Sequence, residues 1–108
     1  MITDGVWERL VTIPAVREER SSYKDAPALW VDGREIAHLE GDDRLDLRLT
    51  RGEIRTRRAA LRADARVRLR PSTSADWLEV RVLVPDDIDY LLHLVEAAVD
   101  ANRAAKPS

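Results

Sequence analysis

Apolar positions along the chain change period several times, and each change marks an element. Val6, Trp7 and Leu10 recur at helical spacing after Asp4, so a short helix is expected over residues 5–12 with Asp4 as its cap. Pro14 ends it, because the residue before a proline is driven out of the helical region. Residues 17–24 are charged and read as a loop. Residues 28–31 and 34–39 are apolar runs on either side of Asp32-Gly33, a pair that suits a two-residue hairpin turn because both positions take positive φ. Residues 40–43 form a second turn, after which Leu45, Leu47 and Leu49 alternate with Asp46 and Arg48 as a half-buried third strand.

Thr50 and Glu53 have the spacing of a capping box, in which each satisfies the other's free backbone donor, and a helix over residues 51–63 follows. Its inner stripe is thin, with Ile54, Leu61 and the stem of Arg58, so it should lie on the surface. Residues 66–70 alternate arginine with Val67 and Leu69 as a fourth strand, and residues 77–84 form a fifth with Leu78, Val80, Val82 and Val84 on one face. Pro85-Asp86-Asp87 opens the clearest helix, since proline suits a first helical position and carboxylates complement the positive end. Ile88, Leu91, Leu92, Val95, Ala98, Val99 and Asn102 mark one of its faces, His93 leans towards solvent, and residues 104–108 read as a frayed tail. The expected architecture is α+β: one domain over residues 1–108, with helices packed on an antiparallel five-stranded sheet in the order α-β-β-β-α-β-β-α.

Composition narrows the chemistry. The chain has 108 residues and no cysteine, which excludes disulfides, thiolate metal sites and cysteine nucleophiles. No apolar run approaches the ~18 residues of a membrane span and the N-terminus has no signal-like pattern, so a cytoplasmic protein without a membrane partner is expected. Arginine far outnumbers lysine and alanine is frequent, a bias that suggests a GC-rich bacterial genome. No glycine-rich phosphate loop, nucleophile elbow or His-Glu-x-x-His motif is present, and no metal or other cofactor is expected. Glu40, Asp42, Asp43 and Asp46 could bind a hard cation such as calcium or magnesium, but they lack the ligand spacing of an EF-hand loop and read better as a solvated turn.

Two features hold candidate chemistry. His38 stands in a strand where an aliphatic residue would serve; by hairpin parity it shares a face with Leu29, Val31 and Ile36, at the margin of the side covered by the long helix, while Trp30, Ala37 and Leu39 share the other face. Its side chain suits a general base, and it suits equally a packed residue that donates a ring N–H to a carboxylate. Residues 44–70 hold ten arginines against three acids on a chain of net charge −2. Arg51, Arg55, Arg58, Arg62, Arg66 and Arg68 are therefore candidates for gripping nucleic acid or another anionic partner, or else for solubilising an open sheet face. A third alternative is a protein-interaction module, monomeric or weakly dimeric through a strand edge or the face with Trp30 and Leu39.

Beyond these residue-level readings, Trp7-Glu-Arg-Leu10, Ile13-Pro-Ala-Val16, Gly33-Arg-Glu-Ile-Ala-His-Leu-Glu-Gly-Asp42, Leu45-Asp-Leu47 and Asp76-Trp-Leu-Glu-Val80 together resemble the luciferase-domain family, small bacterial proteins grouped with the fungal luciferases. The resemblance runs over about residues 7–103. Many relatives have a second histidine where this chain has Glu40. The order of strands and helices also looks like that of the small bacterial proteins of the YjbR type. The family resemblance implies that His38 belongs to a shared signature, and that the chemistry is of an oxygenase kind, on a hydroxylated pyrone with molecular oxygen and without a separate cofactor. On that reading His38 would abstract an enolic or phenolic proton, Glu35 and Glu40 would be its catalytic neighbours, Arg34 would steady the anion, and Trp77 and Trp30 would line the small-molecule site.

Overall fold

In the computed structural model, which describes residues 2–104, the chain opens with helix α1 (Asp4–Val11). The cap is Thr3, not Asp4: the Thr3 hydroxyl accepts the Val6 N–H at 3.3 Å, and Asp4 becomes the acidic residue of the first turn. Four strands follow: β1 (Arg17–Arg20), β2 (Pro27–Val31), β3 (Arg34–Leu39) and β4 (Arg44–Arg48). Helix α2 (Arg51–Ala63), strands β5 (Val67–Leu69) and β6 (Trp77–Arg81), and helix α3 (Asp86–Ala104) complete the order. The expected frayed tail lies, from residue 105 onward, outside the described residues.

The sheet has six strands, not five, in the order β1-β2-β3-β4-β6-β5 with every neighbour antiparallel, and the element order is α-β-β-β-β-α-β-β-α. The strand missed by periodicity is β1. Its sequence Arg-Glu-Glu-Arg has no apolar residue because it is an edge strand exposed on both faces, paired with β2 and tied to α1 by the Trp7 ring N–H, which donates to Glu18 at 3.2 Å. Charge on an edge also discourages pairing with another chain.

One face of the sheet lies under the helices. Leu29, Val31, Ala37, Leu45, Leu47, Leu78 and Val80 are fully buried there, in one cluster with Leu91, Leu94, Val95, Ala98 and Val99 of α3. Each fully buried leucine or valine contributes about 1.5–3 kcal/mol by leaving water. The inner stripe of α3 is centred differently from expectation: Leu94 is buried, and Ile88 and Leu92 sit half-buried at its flanks. Asn102 ends the stripe, fully buried, with Nδ2 donating to the carbonyls of Arg48 at 2.9 Å and Ala98 at 2.7 Å. His93 is exposed, as expected.

Two local corrections have simple causes. Strand β6 stops at Arg81 and leaves Val84 exposed, because Asp87 Oδ2 accepts the N–H groups of Leu83 at 2.9 Å and Val84 at 3.1 Å and so turns the chain into α3. The capping box at α2 is half-formed. Thr50 Oγ1 accepts the Glu53 N–H at 3.4 Å, but Thr50 N–H donates to the Asp76 carbonyl and the Glu53 carboxylate turns to Arg57.

Candidate functional site

The position of His38 follows from one irregularity. In the β2–β3 hairpin Val31 pairs with Arg34 and Trp30 with Glu35, as simple parity requires, but Leu29 pairs with Ala37 and Ala28 with His38. Ile36 is thus an extra residue, a bulge, and it reverses the parity of everything after it. Ala37 and Leu39 join the helix face. His38 turns to the opposite face with Ala28 and Trp30, so the expected company of Leu29, Val31 and Ile36 is incorrect. The bulge also allows Glu35 and His38, three residues apart, to stand on the same side.

That second face gathers polar residues from several strands. The His38 imidazole is buried, with Nδ1 at 2.8 Å from Glu35 Oε2. Nε2 lies 3.1 Å from Glu40 Oε1 and 3.2 Å from Asp46 Oδ2, Asp46 being the direct cross-strand partner of His38. Glu35 is itself fixed by three donors: Ser21 Oγ at 2.6 Å, Ser22 N–H at 2.7 Å and Ser22 Oγ at 3.0 Å. Lys24 Nζ donates to the Leu39 carbonyl at 2.7 Å and sits 3.2 Å from Glu40, while Arg70 reaches Asp46 at 3.2 Å. Three cationic heads therefore face three carboxylates when the imidazole is protonated.

Aromatic rings close the cluster. The Trp77 ring is centred 5.3 Å from His38, and Tyr23, on the loop of residues 21–26, is centred 5.7 Å from His38 and 5.6 Å edge-on from Trp77. Tyr23 is nevertheless 63% exposed, so one turn of loop forms the roof.

Burial works to lower the His38 pKa, but the hydrogen bonds and charges of Asp46 and Glu35 outweigh it and hold the imidazole above its ordinary value. Burial would raise the Glu35 carboxyl, and the Ser21, Ser22 and His38 hydrogen bonds bring it below the usual range. Asp46 behaves alike: burial raises it, while the His38 hydrogen bond and the Arg70 charge more than compensate.

Of the residues expected at a site, His38, Glu35, Glu40 and Trp77 come together. Trp30 shares their face and pairs with Glu35, but it lines a separate recess beside Arg17 and Glu19, where its ring N–H is buried without a partner. Arg34 stands exposed at the hairpin end opposite Val31, away from the cluster. Sequence reasoning missed Ser21, Ser22, Tyr23, Lys24, Asp46 and Arg70. Asp46 is not part of a solvated turn: it is buried mid-strand between two core leucines, and an acid in that position was the legible signal.

The six candidate arginines divide. Arg51 and Arg55 are exposed along α2. Arg58 and Arg62 line an open groove with Arg68 and Arg70 of the β5 edge. Arg66 is drawn away, 2.7 Å from Asp64 and 3.5 Å from Asp87, with its guanidinium 3.9 Å over the Tyr90 ring.

The bulged hairpin thus sets a carboxylate-anchored histidine beside the Trp77 strand in an α+β fold. The sequence profile of the Luciferase domain matches residues 33–98, and the chain belongs to that family. The matched span begins at the hairpin turn and covers β3, β4, α2, β5, the Trp77 strand and most of α3, leaving α1, β1 and β2 outside it. No curated protein and no solved structure matches the chain. Among the described residues, no helix is long and apolar enough to cross a membrane.

Proposed function

We propose that this luciferase-domain protein is a small-molecule-binding, oxygenase-like protein that takes a flat hydroxylated ring on the open face of the sheet, with His38 at its centre. The observation that carries the reading is the Glu35–His38 hydrogen bond of 2.8 Å, set beside the rings of Trp77 and Tyr23. A carboxylate on Nδ1 fixes the orientation of the ring, so that Nε2, which now faces Glu40 and Asp46, is the atom a substrate hydroxyl would meet on entering between them. Tyr23 covers the site from an exposed loop, and a ring-shaped ligand would take its place against Trp77. Lys24 and Arg70 supply positive charge for an enolate or phenolate, the role that Arg34 is too distant to fill. Family membership supports the reaction class, in which molecular oxygen takes electrons from the substrate anion.

Tryptophan fluorescence titrations with hydroxylated 2-pyrones and phenols test this reading. Saturable quenching by the wild type, at least tenfold weaker in His38→Gln and in Trp77→Leu, is the expected result. Equal affinity in all three proteins would overturn it.

A second reading is favoured by one observation: Arg58, Arg62 and Arg68 form no ion pair among the described residues and face one groove. Such a groove suits a phosphate backbone, and duplex DNA binding with a steep salt dependence that disappears in Arg58→Ala/Arg62→Ala/Arg68→Ala would support it.

A further inference from the structure

The cluster around His38 has a geometry that a proton relay alone does not require. His38 Nε2, Glu40 Oε1 and Asp46 Oδ2 all lie within 4.8 Å of one another, with Nε2 3.1 Å from the first oxygen and 3.2 Å from the second. Ligand atoms about 2.0–2.2 Å from one divalent cation stand roughly 3.0–3.5 Å apart, so these spacings already match two edges of a coordination shell. We propose that His38 Nε2, Glu40 Oε1 and Asp46 Oδ2 form a binding site for one divalent transition-metal cation of the zinc or manganese class.

Three further features point the same way. The first is the support behind the ligand. Glu35 Oε2 lies 2.8 Å from His38 Nδ1, placed to accept its N–H, and is itself held by Ser21 and Ser22, which leaves Nε2 aimed at the two carboxylates. A carboxylate behind a histidine in this way is the usual outer shell of a metal-bound imidazole.

The second is an unpartnered atom. Asp46 has a side chain only 10% exposed, and its Oδ1 is buried without a hydrogen-bond partner. A buried acceptor left unpaired is costly, and bidentate coordination of the same carboxylate would satisfy it.

The third is the origin of the three ligands. His38 and Glu40 are two residues apart and so leave the chain on one side, and Asp46 is the cross-strand partner of His38. The donor set comes from two adjacent strands and the turn between them, so the sheet itself fixes its spacing. One imidazole with two carboxylates suits zinc or manganese better than calcium, which prefers oxygen alone.

The present counter-charges do not obstruct the site. Lys24 and Arg70, which now neutralise Glu40 and Asp46, are respectively one-third and one-half exposed; Arg70 can turn to water when a dication takes over, and Lys24 can leave Glu40 while keeping its hydrogen bond to the Leu39 carbonyl. Of the acidic turn only Glu40 belongs to the ligand set: Asp42 is exposed and outside the three-atom cluster.

The proposal shares its site with the small-molecule reading but stands on donor geometry alone. A bound cation would hold the substrate hydroxyl that the imidazole otherwise contacts. The test is direct titration of chelator-treated full-length protein with Co²⁺, read by its visible absorption, and with Zn²⁺, read by calorimetry. One equivalent should bind, with affinity at least tenfold weaker in Glu40→Gln and hundredfold weaker in Asp46→Asn, and unchanged in the control Asp42→Asn. Glu40 is partly exposed, so its variant keeps the test valid even if Asp46→Asn folds poorly. Absence of one-to-one binding, or equal affinity in Glu40→Gln and wild type, would overturn the metal site. Pyrone or phenol binding that depends on His38, in protein that takes up no Co²⁺ or Zn²⁺ on titration, would overturn the metal site and leave the small-molecule reading standing. Cation binding without any such ligand would do the reverse.

Discussion

The two faces of the sheet are built from alternate residues of the same strands, yet they obey different rules. On the helix face Leu45, Leu47, Leu78 and Val80 are fully buried and make no demand on direction. On the other face the intervening residues include Asp46, Trp77 and Glu79, and each polar atom there needs a partner at a particular angle. Glu35 receives four hydrogen bonds, whereas Asp46 Oδ1 has none. Apolar burial is the larger source of stability in such a fold, whereas a polar face depends on how well its groups are paired. Natural polar clusters of this kind are retained at some cost in stability where they serve a site.

The largest effect should come from the apolar face. Leu47→Ala removes a fully buried side chain from β4 and should cost about 3 kcal/mol, read as a lowered urea midpoint with unchanged slope. A cost under about 1 kcal/mol would erase the distinction between the faces. Glu35→Gln should cost less, about 1–2 kcal/mol, because the Ser21 and Ser22 donors keep an acceptor but lose its charge; a thermal melt measures it. The same substitution should change the imidazole ¹⁵N shifts of His38 while leaving the α3 methyl signals in place.

A smaller effect belongs to pH, at the far edge of the sheet. The Arg66 guanidinium holds the Asp64 carboxyl below the usual aspartate range, and the N–H groups of Leu83 and Val84, with Arg66, hold Asp87 there. Both folded values are depressed, so this stabilisation is fully present above the unfolded aspartate pKa of about 4 and is lost as pH falls through the lower folded values. Glu35 and Asp46 act with the same sign, so the contribution is isolated by comparing wild type with Asp87→Asn: the variant should show the shallower fall in urea midpoint between neutral and acid pH. Least of all should change in Arg20→Ala, since its 2.7 Å pair with Asp25 joins two largely exposed side chains; under about 0.5 kcal/mol is expected in a urea titration.

The sequence was legible where periodicity is strong. The Asp32-Gly33 turn, the alternation through Leu45 and Leu47 and the long helix α3 all stand where their patterns place them. It was opaque where backbone pairing carries the information. Strand β1 has no apolar residue to announce it, and the bulge at Ile36 leaves no sequence mark because isoleucine suits a regular strand equally well. That single extra residue moved His38 from the expected helix margin to the opposite face. His38 and Glu35 drew notice because their types are unusual in a strand, and they stand in contact, while Ser21, Lys24 and Arg70 reach the cluster from sites remote in sequence that no local pattern connects.

The most direct test of the contrast between the faces is the stability of a protein in which the polar network is replaced outright, Glu35→Leu/His38→Leu/Asp46→Leu, measured by urea unfolding beside the wild type. If the network is kept for binding, the triple variant should fold with a midpoint equal to or above that of the wild type, since apolar replacement of a buried ionic cluster is neutral or favourable by about 1–4 kcal/mol, and it should bind neither cation nor pyrone. A variant that unfolds, or loses more than about 3 kcal/mol, would show that Glu35, His38 and Asp46 hold the sheet together and would contradict the account.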